Sequence, residues 1–268
     1  MRDGDVYRLN GSKMWASMAN ETDVGVFLAK TDPDAGPKGV TAFIAEPKKH
    51  SGFEARLNEM HGLSKALRTN AVFLNNFVVP VENRLCAEGD GFKIVMRALQ
   101  TGRVTVAAKA LGVARACFED AVTYADEREL RGAPIGKFQM IQSDIAEMAV
   151  AIEASRALVY KAAQYMDADL PTSRIAALAK YHPSQTAKMV ADKSQQVFGG
   201  YGLALEYRVS WLKSSADLFF TGEGAANVQK ILIAEDALGY KVADRHHGHT
   251  GLRDPRKDDI ADELAAAE

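Results

Sequence analysis

A chain of 268 residues, 47% hydrophobic and 25% charged, is long enough to bury a substantial core in two structural units. Its formal net charge of -2, with Lys and Arg interspersed among Asp and Glu, supplies no basic field for nucleic acid. No apolar run approaches the roughly 20 residues that span a bilayer, and Met1-Arg2-Asp3-Gly4-Asp5 lacks an apolar signal region, so the cytoplasm is the expected compartment.

From Val6 to about Val79, short runs rich in Val, Phe, Ile and Leu alternate with turn signals at Asn10-Gly11, Asp32-Pro33, Gly36-Pro37 and Ser51-Gly52. Residues 24–29, 40–45 and 70–74 are the clearest strands, which predicts a small sheet or barrel over residues 1–88. Past Gly89-Asp90-Gly91 the period changes. Ala, Leu, Met, Glu and Lys recur at helical spacing over residues 91–127, 137–167, 171–197 and 224–240. Ile141, Ile145, Met148, Ile152 and Ser155 form one stripe, with Gln142, Glu147 and Glu153 on other faces. Pro171 suits the first turn of the third helix, and Gly199-Gly200 suits its end, where left-handed backbone is needed. The expectation is α+β: a small β domain, then an antiparallel four-helix bundle over residues 89–243, then a flexible charged tail over 244–268.

Metal chemistry is not expected. Cys86 and Cys117 lack ligand spacing, and His246, His247 and His249 sit in a segment dominated by Gly, Pro and charge. The residue with the most chemical promise is Glu223, between Gly222 and Gly224. Flanking glycines leave little backbone bulk around it, which suits a general base if desolvation raises its pKa. From these residues alone, a Gly-rich turn with Glu223 near a helix start, favoured by the helix dipole, is the preferred reading.

Several segments, taken in order over residues 5–240, resemble the acyl-CoA dehydrogenase family of flavoproteins. They are Tyr7-Arg8-Leu9-Asn10-Gly11-Ser12-Lys13-Met14-Trp15-Ala16-Ser17, Val78-Val79-Pro80-Val81-Glu82-Asn83, and Gly102-Arg103 with the residues that follow. Asp126-Glu127-Arg128 with Phe138-Gln139, Gln196-Val197-Phe198-Gly199-Gly200-Tyr201-Gly202, and Glu223-Gly224 with Asn227-Val228-Gln229 complete the series.

The resemblance implies an FAD enzyme that oxidises an acyl-CoA to a trans-2-enoyl-CoA and passes electrons to an electron-transfer flavoprotein. Trp15 and Ser17 would stand beside the flavin, although a Trp buried in a β core is the plain alternative for Trp15. Arg128 would pair with the pyrophosphate and Gln139 would add an amide contact. Gln196, Gly199 and Gly200 would approach the adenosine half of the cofactor, from a neighbouring subunit of a homo-oligomer. Ala225 and Asn227 would face the flavin. Arg103 and Gly224 would border the acyl-CoA, and Glu223 would remove the α proton.

The sequence also departs from the family. Family members carry an N-terminal helical domain and the opening of the β domain before the segment that starts here at Met1, which raises a second reading: a truncated or noncatalytic subunit whose site a partner chain completes or replaces. Arg131 replaces an aromatic residue, Leu63–Thr69 replaces an Arg-x-Ser-x-Thr segment, Gln100 replaces an acid, and Ser214-Ser215 replaces an Arg-Asp pair. A flavin oxidase or reductase on the same scaffold is a third reading.

Overall fold

The computed structural model describes residues 2–239; the predicted tail and its histidines lie outside them. The first part is β: β1 (Arg2–Asp3), β2 (Val6–Ser17), β3 (Gly25–Lys30), β4 (Val40–Ala45), β5 (Phe53–Leu57), a short helix α1 (Leu63–Ala66), β6 (Thr69–Pro80) and β7 (Arg84–Leu85). The second part is helical: α2 (Gly91–Glu127), a small hairpin β8 (Glu129–Leu130) and β9 (Ala133–Pro134), α3 (Gln139–Asp167), α4 (Ser173–Phe198), α5 (Arg208–Thr221) and α6 (Ala226–Leu238).

The strands form two antiparallel sheets, in the orders β1-β2-β6-β5 and β3-β4-β7. One core joins them: Tyr7, Leu9, Val72, Phe77 and Val79 from the larger sheet pack with Phe43 and Ala45 from the smaller. The Tyr7 and Phe43 rings lie 4.8 Å apart, within the range of favourable aromatic contact.

Asn10-Gly11 is not the turn its sequence suggests. It sits inside β2 at a register shift that sets Asn10 against Asn75 and Asn76 of β6; Gly11 has φ 130 and Asn76 has φ 49. The Asn10 Oδ1 accepts the Asn76 backbone N–H at 2.8 Å, so the side chain repairs the ladder that the bulge interrupts. A second shift, between Lys13 and Ala16, carries Trp15 at φ 65.

In the helical part, small residues decide the packing. Ala107, Ala110, Ala114, Cys117, Ala121 and Ala125 line the buried face of α2, while Ala176, Ala179, Ala187 and Ala191 are buried on α4. Short side chains let helix axes approach closely, and α4 packs against α2, α3, α5 and α6. Burial pushes the Cys117 thiol up to about 12, so it is a core residue and not a nucleophile. The α3 stripe faces inward as expected, but Ser155 brings polarity with it. Its hydroxyl donates to Thr186 Oγ1 at 2.8 Å and lies 3.0 Å from His182 Nδ1.

Two corrections concern helix boundaries. Pro171 precedes α4, which begins at Ser173 after Thr172, rather than occupying its first turn. The connection expected between the third helix and Glu223 contains a full helix, α5, with Val209, Leu212, Ser215, Ala216 and Phe219 buried. Among the described residues no helix is long and apolar enough to cross a membrane.

The β and helical parts meet at close backbone contacts. A Cβ on Gly91 would stand 2.6 Å from the Thr41 carbonyl carbon, so the start of α2 rests directly on β4. Gly62, at φ +58, lies against the Ser214-Ser215 backbone; a Cβ there would be 2.5 Å from the Ser214 carbonyl oxygen. Gly62→Ala is therefore expected to lower stability by about 2–4 kcal/mol, combining left-handed strain with overpacking. Urea unfolding checks it, and a loss under about 0.5 kcal/mol, the usual range at unconstrained surface positions, contradicts this close contact.

Candidate active site

The helix α5 ends at Thr221, and Gly222-Glu223-Gly224-Ala225 turns the chain into α6. Glu223 has φ 53 and Gly224 has φ 96. Left-handed backbone at a non-glycine costs about 1–2 kcal/mol and persists where the surroundings enforce it, often at functional sites. Here the enforcement includes Gln229, fully buried on α6, whose Nε2 donates to the Gly224 carbonyl at 3.1 Å.

The Glu223 carboxylate points at α2 and does not cap α6. Its Oε2 lies 2.8 Å from where a Cβ on Gly102 would stand, so only a glycine at 102 leaves that space open. Next to Gly102 is Arg103, 5% exposed, and across from both is Lys180 of α4, fully buried. Burial lowers the Lys180 pKa to about 8; Glu223 pulls it up and Arg103 pushes it down, but desolvation dominates. Glu223 itself remains exposed. A carboxylate, two cations and an open glycine thus share one corner between α2, α4 and the α5–α6 turn.

A second region lies at the far end of α4. A cleft of about 650 Å³ is lined by Tyr124, Arg128, Phe138, Gly199, Gly200 and Tyr201, among others. Gly199 ends α4 with φ 60, and neither it nor Gly200 has any atom within 4 Å of a built Cβ, so both present open backbone. The Arg128 guanidinium lies 5.8 Å from the Tyr201 ring centroid, an aromatic support for a cation at the cleft wall. Gln139 follows Phe138 as the first residue of α3, and Gln196 donates its amide to Asp192 at 3.4 Å; neither side chain lines the cleft. Arg131 occupies the β8–β9 turn at φ 55 beside Gly132 at φ 77, exposed.

Trp15 corrects the plain β-core reading: it is 65% exposed, and Ser17 is exposed beside it. Ala225 and Asn227 are exposed around the start of α6. Among the described residues no group of His, Cys, Asp and Glu could hold a metal.

Sequence reasoning missed Lys180 and Ser184, and placed Gly102 and Gln229 within motifs without giving them a role. One signal was available. Lys180 and Ser184 follow Ala176 at successive four-residue steps on the Ala-rich face of α4, where a charge has no solvent.

The acyl-CoA dehydrogenase C-terminal domain family matches residues 89–238. The chain belongs to the acyl-CoA dehydrogenase family. Glutaryl-CoA dehydrogenase of Desulfococcus multivorans is 41% identical over 243 residues, 90% of this chain and 62% of that protein. The short-chain-specific acyl-CoA dehydrogenase of Clostridium acetobutylicum is 40% identical, across 87% of this chain and 61% of that protein. Among solved structures, a glutaryl-coenzyme A dehydrogenase in complex with glutaryl-CoA superposes with TM-score 0.87 at 41% identity, covering 90% of this chain and 61% of that one. Butyryl-CoA dehydrogenase from Megasphaera elsdenii gives TM-score 0.85 at 38% identity, covering 88% and 62%. This member of the family thus spans about three-fifths of the length of these relatives.

Proposed function

We propose that this chain carries the base and much of the cofactor site of an FAD-dependent acyl-CoA dehydrogenase, with Glu223 as the residue that removes the α proton. The observation that carries the reading is the position of the Glu223 carboxylate, aimed over Gly102 beside Arg103 and Lys180, in a chain of this family.

The residues present fit a flavin dinucleotide. Trp15 offers an exposed indole face, Arg128 a guanidinium for pyrophosphate oxygens, and Gly199-Gly200 open backbone at a cleft. Ser17, Gln139, Gln196, Ala225 and Asn227 would complete the contacts. When bound, FAD supplies the acceptor for the hydride that leaves the β carbon. The chain's own work is with protons and charge. Glu223 takes the α proton, while Arg103 and Gly224 border the acyl-CoA thioester and Gly102 keeps the approach open.

The named relatives support an acyl-CoA substrate, and two support an electron-transfer flavoprotein as acceptor. One is the caffeyl-CoA reductase-Etf complex subunit CarC of Acetobacterium woodii, 36% identical over 86% of this chain. The other is a chain in a solved structure reported for the electron transferring flavoprotein of Acidaminococcus fermentans, with TM-score 0.86 at 39% identity. Residues 1–88 are read as part of a middle β domain and 89–243 as an antiparallel helical bundle domain, in a cytoplasmic homo-oligomer. A second reading has a partner chain completing the enclosure, favoured by the exposure of Glu223, since proton abstraction from carbon gains from a dry site.

The test is spectroscopic. Reconstitution with FAD is expected to give yellow protein that bleaches anaerobically on addition of butyryl-CoA or glutaryl-CoA, and protein that stays colourless overturns the proposal. Arg128→Ala is expected to weaken FAD binding about 10- to 100-fold, the range for losing a charge-assisted hydrogen bond, as read by flavin fluorescence titration. Unchanged affinity removes Arg128 from the pyrophosphate site.

A further inference from the structure

The reading of Glu223 as base leaves unexplained why a lysine is fully buried beneath it. A buried ammonium costs several kcal/mol of desolvation, and an apolar chain of the same length would fill the slot without that cost. What Lys180 offers that methionine does not is a directed cationic donor.

The last carbonyls of a helix have no intrahelical donors, and a cation close to them opposes the negative end of the helix dipole. At the end of α5 three successive carbonyls are answered from different places. The Leu218 carbonyl accepts the Gly222 backbone N–H at 2.7 Å. The Phe219 carbonyl accepts the Ser184 hydroxyl at 2.8 Å, and the Phe220 carbonyl accepts the Lys180 ammonium at 3.3 Å. Lys180 and Ser184 are one turn apart on α4, and the single Ser184 hydroxyl proton is shared between the Phe219 carbonyl and the Lys180 carbonyl, 2.7 Å away. Three residues past Phe220 stands Glu223.

We propose that Lys180 is a positioning residue: with Ser184 it clamps the Phe219 and Phe220 carbonyls to α4, and so fixes the turn that aims Glu223 over Gly102. The downstream side of the turn is held separately, by Gln229 on the Gly224 carbonyl. The turn is therefore pinned on both sides of the carboxylate, which is the support a base needs to keep its oxygens in line with a carbon-bound proton. The charged groups acting on Lys180 are Glu223 and Arg103, and the lowering of its pKa to about 8 follows from its dry surroundings. The proposal rests on Glu223 being the base.

Lys180→Met separates positioning from folding. Removing the buried cation is expected to leave the melting temperature unchanged or higher, because the apolar isostere carries no desolvation cost. Hydrogen exchange of the amides of residues 221–225 in the cofactor-free full chain is expected to accelerate about tenfold or more. A core variant such as Val190→Ala, destabilised by cavity formation, is not expected to change exchange in that segment selectively. In the FAD-reconstituted chain, kcat for acyl-CoA oxidation is expected to fall about 10- to 100-fold with KM for the acyl-CoA within twofold.

Unchanged exchange over 221–225, or faster exchange with kcat within twofold of the parent, overturns the proposal. Should Lys180→Met not fold, Ser184→Ala removes the second clamp bond alone and is expected to accelerate exchange in the same segment several-fold; no acceleration there overturns it too. Failure of the underlying reading looks different. A parent chain that acyl-CoA does not bleach, or a Glu223→Gln variant that still turns over, removes the base while the exchange result still reports whether the clamp exists.

Discussion

Glu223→Gln is expected to take up FAD as the parent chain does and to lose about 100- to 10,000-fold in the rate of flavin bleaching by acyl-CoA, the range attributable to a general base. Glutamine matches the carboxylate in shape but has no basic oxygen able to accept a proton at neutral pH. The side chain is exposed, so the substitution is expected to change stability by no more than about 0.5 kcal/mol, and the loss is one of chemistry alone. Anaerobic stopped-flow spectroscopy reads the rate, and the flavin spectrum before mixing reads occupancy. A variant within about tenfold of the parent rate would take Glu223 out of the mechanism and leave its left-handed backbone as a structural feature only.

Gly102→Ala is expected to move stability and activity in opposite directions. Within the long helix α2, alanine in place of glycine adds about 0.5–1 kcal/mol of stability by helix propensity. The new methyl would stand 2.8 Å from Glu223 Oε2, closer than a carbon and a carboxylate oxygen can settle. Because that oxygen is the far end of a flexible side chain, it is the carboxylate that yields and the helix that stays. A shift of about 1 Å at a reacting group costs on the order of 100-fold, so kcat/KM is expected to fall by about that factor. Urea unfolding and the bleaching rate are measured on the same preparation. A variant more stable than the parent and equally active would mean that the carboxylate works from another rotamer.

The helical part was legible where the apolar period was dense. The predicted ranges 91–127, 137–167 and 171–197 lie within two residues of the helices Gly91–Glu127, Gln139–Asp167 and Ser173–Phe198. The helix α5 escaped because its buried face includes Ser215 and Ala216 next to an exposed Trp211, which dilutes the apolar stripe. At Trp15 only the plain alternative of a core indole is overturned, because the register shift in β2 leaves the residue 65% exposed. Asn10-Gly11 has turn chemistry, and the structure uses it for a bulge, where the same tolerance of positive φ is needed.

By itself, the sequence determined that a β part precedes a helical part, and it set Glu223 between two glycines, because periodicity and backbone freedom are local properties written in neighbouring residues. Tertiary structure alone decided that this carboxylate lies over Gly102, that Lys180 reaches the Phe220 carbonyl 40 positions away, and that Gly62 rests on Ser214. Such contacts depend on how closely α2, α4 and α5 approach. That distance is set by the summed volumes of the alanines between them, and no local pattern records it.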